Sequence, residues 1–93
     1  MRATVHLSAY LREFAAGKGQ VEVEFAATVR DALEALRRLH PGVTARVLDE
    51  RGHVRPHMNV FAGVDNVKDI GGLDAAVETG KEISVLPSIS GGR

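Results

Sequence analysis

Thr28-Val29-Arg30-Asp31-Ala32-Leu33-Glu34-Ala35-Leu36-Arg37-Arg38-Leu39-His40 is the stretch on which the fold turns. Val29, Ala32, Leu33, Leu36 and Leu39 recur three and four residues apart, which lines one side of a helix with apolar groups. Thr28 has the side chain of a helix N-cap. Asp31 follows three residues later, a capping box with Asp in place of the usual Glu. Arg37, Arg38 and His40 crowd the final turn, where cations suit the negative end of the helix dipole. Pro41-Gly42 is expected to stop the helix. A single amphipathic helix of this kind must bury its stripe on something, and the flanking sequence offers a sheet.

Upstream, Ala3 to Ser8 alternates, with Ala3, Val5 and Leu7 on one face and Thr4 and His6 on the other. Tyr10 to Phe14 reads as a turn of helix, broken by Gly17-Lys18-Gly19. Gln20 to Phe25 alternates again, Val21, Val23 and Phe25 inward and Glu22 and Glu24 outward, so the two runs make an antiparallel pair. Downstream, a second short helix is expected over Val43 to Asp49, ended by Arg51-Gly52. Met58 to Ala62 is a strand, and Gly63 to Asp69 a turn with a short edge strand. Gly71-Gly72 is a tight turn of structural glycines, and Leu73 plugs the core. Thr79-Gly80 leads into the last strand, Glu82 to Leu86, and regular pairing should weaken at Pro87, which has no amide donor. With one helix across one face of a mixed sheet, the pattern predicts an α+β protein of β-grasp type. Its first and last strands are then parallel central neighbours. The expected organisation is a domain over 1–87 and a flexible C-terminal tail over 88–93, whose Ser88-Ile89-Ser90-Gly91-Gly92-Arg93 has little to anchor it.

The 93 residues suffice for one small domain, which buries roughly 60–65% of the surface of its unfolded chain. Twelve basic residues balance twelve acidic ones, so no cationic excess points to nucleic acid or an anionic membrane. There is no cysteine, hence no disulfide, thiolate metal site or cysteine nucleophile. His6, His40, His53 and His57 lack metal-ligand spacing. No metal, bound cofactor or catalytic residue is expected, and the chain reads as a non-enzyme. Without a secretory leader or a run of ~20 apolar residues, the expected location is the cytoplasm.

The last third carries a resemblance. Val67-Lys68-Asp69-Ile70-Gly71-Gly72-Leu73, then Thr79-Gly80, then Ile83-Ser84-Val85-Leu86-Pro87-Ser88-Ile89-Ser90-Gly91-Gly92 is similar to the ThiS/MoaD family of ubiquitin-like sulfur carriers. In that family a turn glycine precedes the last strand, a proline follows it and the chain ends in Gly-Gly. The Leu-Pro-Ser-Ile-Ser-Gly-Gly ending resembles most the branch serving cysteine biosynthesis. The resemblance implies a cycle. An ATP-using, ubiquitin-activating-like enzyme adenylates the carboxylate of Gly92, a sulfur donor converts it to a thiocarboxylate, and an acceptor biosynthetic enzyme takes the sulfur. Gly91 and Gly92, lacking a Cβ, let two enzymes approach the acyl carbon.

Arg93 departs from the pattern, because it leaves the Gly92 carbonyl an amide. The expectation is that a processing metallopeptidase cleaves between Gly92 and Arg93; otherwise this branch has lost the activity. Phe61 and Leu86 are expected to face outward, with Thr4 and His6, on the open side of the sheet. Together with Pro87, Ser88, Ile89 and Ser90 they are the candidate partner-binding residues; the alternative is that a loop covers Phe61 and Leu86. Competing functions are a ubiquitin-like protein modifier, a small subunit of molybdopterin synthase that inserts its tail into a partner's active site, and a β-grasp binding module without acyl chemistry.

Overall fold

The computed structural model describes residues 1–25, 27–78 and 81–88. Strand β1 (Arg2–Leu7) leads into the short helix α1 (Ala9–Arg12) and a 3-10 turn over Glu13–Ala15. After β2 (Gln20–Glu24) come the main helix α2 (Val29–Leu39) and α3 (Pro41–Val47). Then follow β3 (Met58–Ala62), the two-residue β4 (Asp65–Asn66), 3-10 turns over Val67–Asp69 and Gly72–Asp74, and β5 (Ile83–Pro87). The sheet order is β2-β1-β5-β3-β4. β1 and β5 run parallel, Val5 opposite Ile83 and Leu7 opposite Val85, and the other pairs are antiparallel. This is the β-grasp arrangement that the sequence pattern predicts.

The core lies between the helices and one sheet face. Val29, Ala32, Leu33, Ala35 and Leu36 of α2 are buried against Val5, Val23, Met58, Val60, Ile83 and Val85 in one cluster. Leu33 and Leu36 have no exposed surface, and each such side chain contributes about 1.5–3 kcal/mol of transfer free energy. Leu73 is 6% exposed and joins this cluster, as expected of a plug after the glycine turn. Gly71 and Gly72 have φ of +106° and +83°, a region that costs a residue with a Cβ about 1–2 kcal/mol.

Three local expectations change. Leu39 is 56% exposed rather than part of the buried stripe. It is the last residue of α2, and Val43 and Val47 of α3 fill the core beyond it. Pro41 does not merely stop one helix. It occupies the first turn of the next, where its fixed φ is pre-organised and its missing N–H is no loss. α3 therefore spans Pro41–Val47 instead of starting at Val43. Finally, β5 runs one residue further than expected, with Pro87 still in register opposite Met58.

Candidate functional site

Each strand that builds the central sheet buries alternate residues, because successive side chains point to opposite faces. In β3 the buried set is Met58, Val60 and Ala62, which turns Asn59 and Phe61 to the outer face. In β5 it is Ile83 and Val85, which turns Ser84 and Leu86 outward. Phe61 stands opposite Ser84 and Asn59 opposite Leu86, while His6 of β1 flanks Ser84 from the other side. Leu86 is 40% exposed and Phe61 is half-buried. The expected outward placement of Phe61, Leu86, Thr4 and His6 is thus what the register produces. Cover over Phe61 is partial, and the two apolar groups sit on a diagonal between neighbouring strands.

Polar pairs border them. His6 Nε2 lies 2.6 Å from Glu82 Oε1, Thr4 Oγ1 donates to Glu22 Oε2 at 2.6 Å, and Arg2 Nε donates to Glu24 Oε2 at 2.7 Å. These residues lie on exposed edges of the patch, so each contact is worth at most about 1 kcal/mol. Among the described residues no group of three or more His, Cys, Asp or Glu side chains is placed to hold a metal ion. No described helix is long and apolar enough to cross a membrane.

Because β5 lies between β1 and β3, the chain reaches its C-terminus from the middle of the sheet. Ser88, the first residue of the expected tail, is still hydrogen-bonded to the body. Its backbone N–H donates to His57 O at 2.7 Å, and its Oγ accepts from Asn59 Nδ2 at 3.1 Å. The structure therefore brings Leu86, Pro87 and Ser88 to the Met58 end of β3, while Phe61, opposite Ser84, lies toward the other end of that strand. Ile89, Ser90, Gly91, Gly92 and Arg93 lie outside the described residues. Asn59 is not singled out by its sequence. Alternation turns it outward, but only the long-range pairing of β3 with β5 sets it beside Ser88.

With this geometry, comparison with known proteins is informative. The ThiS family model matches residues 5–92. Small archaeal modifier protein 1 of Haloferax volcanii is 36% identical over 73 residues, covering 78% of this chain and 79% of that protein. The sulfur carrier protein CysO of Mycobacterium tuberculosis is 26% identical over 94 residues, covering 99% of this chain and 100% of the relative. Among solved structures, a chain of the Amycolatopsis orientalis BexX/CysO complex superimposes with a TM-score of 0.86 at 31% identity, covering 97% of this chain and 99% of that one. A family match spanning nearly the whole sequence, joined to a β-grasp body with a central last strand, identifies this chain as a member of the ThiS family, among whose relatives are sulfur carriers and small ubiquitin-like modifiers.

Proposed function

We propose that this chain is a sulfur carrier, a protein co-substrate rather than an enzyme, whose reactive group is the Gly92 carboxylate formed when Arg93 is removed. The observation that carries the reading is the extent of the family match, which runs through Gly92 and stops before Arg93. A processing peptidase hydrolyses the Gly92–Arg93 amide. The carboxylate then attacks the α-phosphorus of ATP on an activating adenylyltransferase, releasing pyrophosphate and making a mixed anhydride. Hydrosulfide, supplied at the sulfide level, attacks the acyl carbon, AMP leaves, and loss of the sulfur-bound proton leaves the terminus a thiocarboxylate. Activation is needed because a carboxylate has no good leaving group, and the adenylate supplies one. An acceptor biosynthetic enzyme takes the sulfur, with cysteine or another sulfur-containing metabolite as the product.

The resemblance to CysO supports the carrier role. The outer-face patch of Phe61 and Leu86, with Leu86 two residues before Ser88, supports docking of partner enzymes there. A second reading, conjugation of Gly92 to lysines of target proteins, is favoured by the 36% identity to an archaeal modifier protein. Intact-mass measurement of the chain purified from its host tests both. The carrier reading expects a form ending at Gly92 in which one oxygen is replaced by sulfur. Adducts on other proteins without that form would favour conjugation, and a chain that always retains Arg93 would defeat both.

A further inference from the structure

Asn59 occupies the outward register of β3, opposite Leu86, and its side-chain amide is used at both ends. Oδ1 accepts from Asn66 Nδ2 at 3.3 Å, and Nδ2 donates to Ser88 Oγ at 3.1 Å. Asn66 in turn accepts the Lys68 backbone N–H on its Oδ1 at 3.0 Å, capping the 3-10 turn over Val67–Asp69. The direction of this chain of hydrogen bonds follows from its origin. A backbone N–H can only donate, so Asn66 must present its oxygen to Lys68 and its amide nitrogens to Asn59. Asn59 must then present oxygen to Asn66 and nitrogen to Ser88. Flipping either amide would set donor against donor. The run links three separate parts of the molecule, the edge turn after β4, the strand β3 and the residue from which the C-terminal segment departs.

The position of Ser88 gives this link a purpose. Pro87 has no N–H, so Ser88 is the first residue after it that can rejoin a ladder, and it does so by donating to His57 O at 2.7 Å. With its hydroxyl also held by Asn59, Ser88 is fixed by backbone and side chain together. Four residues, Ile89 to Gly92, separate it from the acyl group, and even a fully extended chain of four spans at most about 14 Å. Over so short a reach, the point and direction of departure decide where the acyl carbon can go. We propose that Asn59 is a positioning residue for the C-terminal acyl group. By holding Ser88 against β3 it places the start of the reactive segment in the free carrier, so that this ordering does not have to be met when the activating enzyme binds. This role rests on the sulfur-carrier reading only for its consequence in activation; the tether itself can be measured alone.

The test uses Asn59→Ala, Ser88→Ala, the double variant and Asn59→Asp. Amide hydrogen exchange at Ser88 is followed by NMR in the full chain. Pyrophosphate exchange with the host's activating adenylyltransferase is measured for chains ending at Gly92. Loss of one ordinary hydrogen bond should speed Ser88 exchange about three- to tenfold in either single variant. KM for the carrier should rise by a similar factor with kcat nearly unchanged, as for a lost binding contribution. The double variant should be no worse than the singles, since both remove the same contact. Asn59→Asp should stay near the parent, because a carboxylate oxygen can accept from the Ser88 hydroxyl. The thermal midpoint of Ser88→Ala should fall by no more than the few degrees that one hydrogen bond carries. Unaltered Ser88 exchange in Asn59→Ala, or effects of the two single variants that add, would overturn the tether. If the parent chain ending at Gly92 supports no pyrophosphate exchange, the carrier reading fails while the exchange measurement still decides the tether.

Discussion

Thr28 and Asp31 settle where the main helix begins, and they do so through three hydrogen bonds. The Asp31 N–H donates to Thr28 Oγ1 at 3.1 Å, and Asp31 Oδ2 accepts from the backbone N–H groups of Thr28 and Ala27 at 3.0 Å each. Those two donors, Thr28 first, hold the Asp31 carboxyl below its ordinary range. The Asp49 carboxyl is lowered as well, chiefly by the His53 N–H and then by that of Arg51. For a carboxylate whose pKa is depressed on folding, the stabilisation is present above the unfolded value of about 3.9 and is lost as pH falls through the folded one. Urea unfolding from pH 7 down to pH 3 should therefore show decreasing stability. Asp31→Asn, which cannot titrate, should be less stable than the parent at pH 7, with the gap closing as the pH drops. Thr28→Ala should lower stability by about 1 kcal/mol through loss of the cap. An Asp31→Asn gap that stays constant across that range would show that the ionised carboxylate is not what the cap uses.

At the scale of elements, β3 and β5 have two faces with different work. The inner residues Met58, Val60, Ile83 and Val85 are buried in the core, and the outer Phe61 and Leu86 are not. Truncating a fully buried residue such as Leu33 should cost about 2–5 kcal/mol. Phe61→Ala, at a half-buried outer position, should cost clearly less than the roughly 3–5 kcal/mol typical of a core Phe, while weakening binding to the activating enzyme. Chemical denaturation set beside a binding titration measures both; a core-sized stability loss with unchanged binding would make Phe61 a structural residue. Much of this level was legible from period alone. Period-two alternation in Met58–Ala62 and around Val85, and the three- and four-residue spacing from Val29 to Leu36, fix which side faces the core. What alternation could not supply is anything set by contacts distant in sequence. Leu39 continues the stripe by spacing, yet it lies at the helix end with α3 filling the space beyond. Asn59 gains Ser88 as a partner only when β3 meets β5, 29 residues away in sequence. Pro41 signals equally an end and a beginning, and only the next turn of chain decides between them.

The whole molecule is arranged so that its last strand is central. β5 is held between β1 and β3 as far as Val85, and β3 alone carries Leu86, Pro87 and Ser88 beyond it, so the contacts of Ser88 with His57 and Asn59 fix the point from which the chain departs. The same inference follows from the sequence once the β-grasp pattern is read there, because that arrangement makes the first and last strands parallel central neighbours. The behaviour of the final glycines, by contrast, is a matter of chemistry with other proteins and is decided there. Under the proposed carrier function Gly92 is the position where those demands meet: the α-phosphate of ATP must reach its carboxylate oxygen, and a sulfur nucleophile must then reach its carbonyl carbon. A β-branched side chain on the same residue would occupy the approach and restrict the backbone. Gly92→Val, in a chain without Arg93, should therefore fold with the parent's thermal midpoint, since the substitution follows every described core residue in the sequence. It should nevertheless give little or no acyl-adenylate with the activating enzyme and ATP, and no thiocarboxylate when a sulfur donor is added. Gly91→Ala, which adds a single methyl one residue back, should fall between the two. Normal thiocarboxylate yield from Gly92→Val would mean that the partner enzymes leave room for a side chain at the terminal residue, and the steric account of Gly92 would fall.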